Sequence, residues 1–150
     1  MTMLTQLRIG YLAGLLDGEG QVSIVKNRRT DGKRKRAYSL RAEVRVSQRR
    51  RILLDTIASW VGKDGTSIGR TGQNGAYYVL RFHSAWLRAN LRKIIPHLII
   101  KRRQAEVVMR FLSQPARVGR NGVGDAEWEI RDALHAEIKA LNADRTNGDT

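Results

Sequence analysis

Leu12-Ala13-Gly14-Leu15-Leu16-Asp17-Gly18-Glu19-Gly20 joins a tightly packing apolar run to two carboxylates set between glycines. Around it, Leu4, Leu7, Tyr11 and Leu15, and separately Ile9, Leu12 and Leu16, recur at helical spacing, which predicts a helix from Leu4 to Leu16. Gly10, Gly14 and Gly18 fall four apart on one stripe of that helix. Glycine in a helix interior costs about 1 kcal/mol against alanine, so a stripe of it implies that another backbone passes very close. A second helix of the same kind is the natural partner. Read alone, Asp17-Gly18-Glu19-Gly20 is only a helix stop and a turn. With Leu-Ala-Gly-Leu in front of it, the junction reads as an interface that carries a metal site.

The chain has 150 residues, enough for one domain with a real core, and carries 28 Lys+Arg against 14 Asp+Glu, a formal charge of +14. That excess points to a polyanion, nucleic acid first, whose binding weakens steeply with salt through counterion release. An anionic membrane is disfavoured, because there is no spanning apolar run and no basic amphipathic tail. Cysteine is absent, which excludes disulfides, thiolate zinc sites and cysteine nucleophiles. Arg8, Gly10 and Gly14 break the apolar character that a secretion signal would need, so an intracellular protein is expected.

The positive charge is concentrated. Between Lys26 and Arg51 lie twelve Lys and Arg, opposed only by Asp31 and Glu43. A run such as Lys33-Arg34-Lys35-Arg36 is compatible with a solvated loop or a localisation signal, but its neighbours give it a setting. From Tyr38 to Gln48, Leu40, Ala42, Val44 and Val46 alternate with Ser39, Arg41, Glu43, Arg45 and Ser47, a half-buried strand with one polar face. Gln21 to Thr30 shows the weaker form of the pattern, with Val22 and Ile24 inward and Gln21, Ser23, Val25, Asn27 and Arg29 outward. The loop from Thr30 to Arg36 closes the hairpin. Such a ribbon fits the major groove, where Arg41 and Arg45 can reach base edges while Lys33 and Arg34 at the tip face phosphates.

A helix is expected from Arg51 to Val61, ending near Gly62, followed by a second hairpin of Thr66 to Thr71 and Ala76 to His83 around Gly72-Gln73-Asn74-Gly75. Its candidate outer residues are Arg70, Tyr77, Val79 and Arg81. Ser84 is a plausible N-cap for a helix ending before Pro96, a further helix is expected from about Leu98 to Ser113, and Asp125 could cap a last one carrying Trp128, Leu134, Ile138 and Leu141. The order α-β-β-α-β-β-α plus C-terminal helices gives an α+β domain with helices on one face of an antiparallel four-stranded sheet. Residues 1–142 form that one domain and 143–150 a polar tail. His83, His97 and His135 lack metal-site spacing.

The nine residues 12–20 resemble the signature of the LAGLIDADG homing endonucleases, matching six of nine letters, with Leu16, Gly18 and Glu19 as conservative departures. The motif occurs once, so the resemblance implies a homodimer, with Tyr11, Ala13, Gly14, Leu15 and Gly18 at the helix interface and a concave sheet saddling double-stranded DNA. It implies an Mg²⁺-dependent endonuclease, Mn²⁺ or Ca²⁺ substituting for binding, cutting a long palindromic or pseudo-palindromic site. In the family the second acidic position is the metal ligand. Here that is Glu19, one methylene longer than the usual aspartate, with the Gly18 carbonyl on the same metal; Asp17 fits a residue that orders the helix end, and direct ligation by it stays open. Gln48 falls where the family often has a polar residue that positions the attacking water, and Lys101 resembles the lysine of the active-site periphery, a role Arg50 or Arg51 could share. The alternative is the same fold without cleavage, as an intron RNA maturase or DNA-binding regulator.

Overall fold

In the computed structural model, which describes residues 4–28, 38–114 and 124–144, Thr5 opens α1 (Gln6–Glu19) by accepting a hydrogen bond from the Arg8 amide at 3.2 Å. The helix runs one turn further than its apolar spacing predicted, so both carboxylates of the motif lie in its last turn. It stops because the Gly20 amide bonds back to the Leu16 carbonyl while Gly20 itself turns extended. A Cβ on Gly20 would lie 2.7 Å from the Leu16 Cα, so only glycine lets the strand leave the helix at this point.

β1 (Gly20–Arg28) follows at once and pairs antiparallel with β2 (Tyr38–Gln48), Gly20 opposite Val46 and Arg28 opposite Tyr38. The chain then forms α2 (Arg51–Val61), β3 (Thr66–Thr71) and β4 (Tyr77–Phe82), with a 3₁₀ turn at Gln73–Gly75 closing the second hairpin. β2 pairs with β4, giving the sheet order β1-β2-β4-β3, antiparallel throughout. The expected fold class is therefore observed. α3 (Ser84–Ile94), a 3₁₀ turn at Ile95–His97, α4 (Arg102–Leu112) and α5 (Asp125–Ala143) complete the order.

One face of the sheet carries the core. Val22 and Ile24, Val44 and Val46, Leu80 and Phe82 pack against Leu12 and Leu16 of α1, Leu54 and Ile57 of α2, Leu87 and Leu91 of α3, and Val108 and Phe111 of α4. α5 adds Leu134 and Ile138, and its Asn142 amide reaches the Val22 carbonyl at 3.2 Å. Full burial contributes about 1.5–3 kcal/mol per large apolar side chain, which anchors all five helices to one side and leaves the other face of the sheet uncovered by them.

Three later helix starts differ from the expected ones. The helix expected from Leu98 starts at Arg102, because Leu98 is extended, with ψ 139°, and the following segment is held by the Asp17 carboxylate through the amides of Ile99, Ile100 and Lys101. His83 occupies the N-cap of α3 in place of Ser84, its Nδ1 lying 2.9 Å from the Asp64 carbonyl. Gly124 precedes α5 where Asp125 was expected to cap it, and Glu127 accepts the Gly124 amide at 2.6 Å. The hairpin loop expected over 30–36, residues 119–123 of the glycine-rich loop and residues 145–150 of the tail lie outside the described residues.

Candidate nucleic-acid interface and metal centre

Asp17 and Lys101 lock the end of α1 to the segment before α4 in both directions. Asp17 Oδ2 accepts the Ile99 amide at 2.8 Å, and Oδ1 accepts those of Ile100 and Lys101 at 3.1 and 2.9 Å. In return the Lys101 ammonium donates to the Leu16 carbonyl at 2.8 Å and to the Gly20 carbonyl, placing positive charge at the negative end of the helix dipole. Lys101 is the N-cap residue of α4, so its side chain crosses to α1 and does not lie along a helix surface. Asp17→Ala is expected to lower stability by about 2–3 kcal/mol, since three amides lose a charged acceptor and water replaces it only partly. Chemical denaturation checks this, and an unchanged midpoint would leave the clasp without structural weight.

Between the two carbonyls held by Lys101 sits Glu19, exposed, its carboxylate making no hydrogen bond or ion pair among the described residues. Gly18, one residue earlier, is also exposed. Since Gly20 pairs with Val46, the register carries Gln48 two residues beyond the start of β1, to the end of the sheet where α1 terminates. Gln48 pairs with Tyr78. Two arginines lie beside that pair, Arg70 donating to the Tyr78 hydroxyl at 2.8 Å and Arg51 5.6 Å from the same ring, while Arg49 donates to the Tyr77 hydroxyl at 3.2 Å on the other face of the sheet. Arg51 also pairs with Asp55 at 3.2 Å, and Arg50 is the exposed N-cap residue of α2. Arg49 was not singled out from sequence, because nothing local separates it from its basic neighbours.

Residues directly opposite in a ladder share a face, so the register defines the surface away from the core. It holds Gln21, Ser23, Val25 and Asn27 of β1, Ser39, Arg41, Glu43, Arg45 and Ser47 of β2, Tyr77, Val79 and Arg81 of β4, and Ser67, Gly69 and Thr71 of β3. Four candidate contacts need correction. Val79 lies on this face but is completely buried between Ser47 and Gly69 in the middle of the sheet. Ser23 and Glu43, opposite one another, are both only 8% exposed. Arg70 pairs with Tyr78 and therefore belongs to the opposite face, at the sheet end. Arg29, Lys33 and Arg34 lie outside the described residues.

Glu43 is buried by charge. Arg41 Nη2 meets its Oε2 at 3.0 Å and Arg45 Nε meets its Oε1 at 3.2 Å, while the same Arg45 Nε donates to Gln21 Oε1 at 2.8 Å. The basic surface thus contains a pre-formed chain of polar contacts that crosses from β1 to β2.

The outer side of α1 is open along its glycine stripe among the described residues, with Trp60 of α2 meeting the Tyr11 ring edge-on at 5.3 Å beside it. Leu7 is 85% and Tyr11 48% exposed, and a Cβ on Gly10, Gly14 or Gly18 would meet no atom within 4 Å. Leu15 is half-buried along this side. Ala13, expected on the same side, is instead buried, because it shares the inward stripe of Ile9, Leu12 and Leu16. Among the described residues, no helix is long and apolar enough to cross a membrane.

Known structures share this fold. The homing endonuclease I-CvuI, in a complex with the I-CreI target in 2 mM Mg²⁺ in which the DNA is not cleaved, superposes with a TM-score of 0.73 at 21% identity, over 91% of this chain and 82% of that one. The archaeal intron-encoded homing endonuclease I-Vdi141I, complexed with DNA, gives 0.72 at 19% identity over 90% and 84%. The LAGLIDADG homing endonuclease I-SmaMI, bound to cleaved DNA, gives 0.69 at 20% identity over 90% of this chain but only 46% of its own. No curated protein matches the sequence. Residues 12–104, from the first leucine of the motif to the start of α4, match the family model described as LAGLIDADG endonuclease, and the chain belongs to that family.

Proposed function

We propose that the protein is a homodimeric, divalent-cation-dependent, site-specific DNA endonuclease of the homing type. The observation that carries this is Glu19: in a chain of an endonuclease family, an unengaged carboxylate ends a helix whose outer glycine stripe is open. The 46% coverage of I-SmaMI supports pairing, since one copy of this chain corresponds to about half of that protein.

Among the described residues no three carboxylate or imidazole groups converge, so one chain offers only part of a cation site. That part fits a hard ion: the Glu19 carboxylate and the Gly18 carbonyl, from a last helical turn whose carbonyls lack partners within the helix. A dyad-related copy doubles the set and brings two carboxylates together, which repel unless a cation lies between them. Bound there, Mg²⁺ would stabilise charge on a phosphate oxygen and make water more acidic. The chain's own groups do the rest. The Gln48 amide orients water, Lys101 fixes the helix end that bears Glu19, and Arg49 and Arg51 hold positive charge next to Gln48.

The surface away from the core binds the duplex, with the exposed Asn27 and Arg41 and the half-buried Val25, Ser39, Arg45, Ser47 and Arg81 available for contact. Tyr77 stands at the rim. β2 has 11 residues, which at about 3.3 Å each span roughly 36 Å, or about ten base pairs at 3.4 Å. Two copies therefore cover on the order of twenty base pairs with palindromic character. Footprinting on a selected site tests this: protection of about that length with related half-sites is expected, and a few protected pairs or an asymmetric site would refute the paired saddle.

A further inference from the structure

We infer that Glu43 and Gln21 are positioning residues that hold Arg45 as a guanine-reading side chain, and that Arg41 beside it has a different task. This rests on the DNA-binding reading above and goes further by assigning roles within the surface.

An acidic residue in the middle of a surface that faces phosphates opposes binding unless its charge is cancelled. Glu43 is 8% exposed and each of its oxygens is covered by an arginine, so it presents no carboxylate to DNA. What it does is restrain its neighbours. Arg45 is held at one atom, Nε, by Glu43 Oε1 at 3.2 Å and Gln21 Oε1 at 2.8 Å. Among the described residues neither of its terminal nitrogens makes a hydrogen bond, and a guanidinium with two parallel N–H groups available matches the O6 and N7 acceptors of guanine in the major groove. Anchoring at Nε also removes rotamer freedom before DNA arrives, so less ordering cost remains for the complex. Arg41 differs: its Nη2 is spent on Glu43 Oε2 at 3.0 Å and its side chain is 57% exposed. One N–H of that nitrogen is engaged while the remaining donors sit on an exposed, less restrained side chain, which suits it to a phosphate. Buried Ser23 Oγ, which has no hydrogen-bond partner among the described residues, lies directly across from Glu43.

The test measures competition binding of the full chain to its selected site and to every single-base variant of it. Wild-type protein is expected to prefer guanine at one position per half-site, and Arg45→Ala to remove about 5- to 150-fold discrimination at that position alone. Arg41→Ala should weaken all variants alike. Glu43→Gln and Gln21→Ala should each reduce the guanine preference several-fold and leave preferences elsewhere intact; adding Glu43→Gln to Arg45→Ala should change nothing further at that position. Gln21 is half-exposed, so its variant keeps the test decisive if Glu43→Gln folds poorly. Full guanine preference in both Glu43→Gln and Gln21→Ala, with specific binding intact, would overturn the inference alone. A wild-type protein with no base preference anywhere would overturn it together with the reading on which it rests.

Discussion

Glu19→Gln is expected to reduce Mg²⁺-supported cleavage by at least about 10²-fold while the protein still finds and holds its DNA site. The substitution preserves the volume and the hydrogen-bonding reach of the side chain and removes only the charge that a hard cation requires. Nothing in the fold depends on that charge, because the Glu19 carboxylate has no partner among the described residues and its exposure lets either form be solvated. Stability should therefore match wild type, and affinity in the absence of metal should rise, since one carboxylate fewer per subunit faces the phosphates. Binding and cleavage measured on the same preparation separate the outcomes. A variant that binds and cuts at the wild-type rate would move the metal site away from Glu19. Asp17 is badly placed to replace it, with both oxygens engaged by three amides.

Gly14→Leu is expected to separate the dimer and abolish double-strand cutting without unfolding the subunit. A Cβ at Gly14 meets no atom within 4 Å of its own chain, so the leucine enters solvent in a lone subunit, and replacing a helical glycine adds up to about 1 kcal/mol of helix stability. In a dimer joined through this stripe, the same side chain enters a close helix contact twice, at about 1–3 kcal/mol of overpacking per copy. Sedimentation and thermal melting together give the answer: a monomer with unchanged or raised melting temperature. A variant that sediments as the wild-type dimer would place the interface elsewhere. Gly20 supplies the contrast, since there a Cβ collides with Leu16 and substitution should damage the subunit itself.

Much of this was legible in sequence because short-range periodicity encodes it. The alternation of Leu40, Ala42, Val44 and Val46 with Ser39 to Ser47 gave β2 its face, and the apolar spacing of Ile52 to Val61 gave α2 its limits. The sequence missed what depends on contacts between distant segments. Ile99-Ile100-Lys101 looks helical locally, yet Asp17, more than eighty residues earlier, takes its amides. Alternation also assigns Val79 and Glu43 to the outer face correctly but says nothing about depth: Val79 is buried by its place in a central strand, and Glu43 by two arginines that close over it. Arg70 reads as one more outward cation until the register of β3 on β4 puts it on the side of Tyr78. Ala13 shows the same limit in the helix, where a small residue beside the glycine stripe turns out to serve the core.

In the proposed function two copies of this chain cut DNA at a specific site using a divalent cation. The most direct measurement incubates purified protein with a randomised duplex library and Mg²⁺, with a chelator control, and sequences the ends produced. Recurrent ends within a palindromic or pseudo-palindromic site of about twenty base pairs, on both strands and only with the cation, are predicted. Specific binding to such a site without ends in Mg²⁺ or Mn²⁺ would contradict the account and identify a protein that uses this fold to hold nucleic acid without cleaving it.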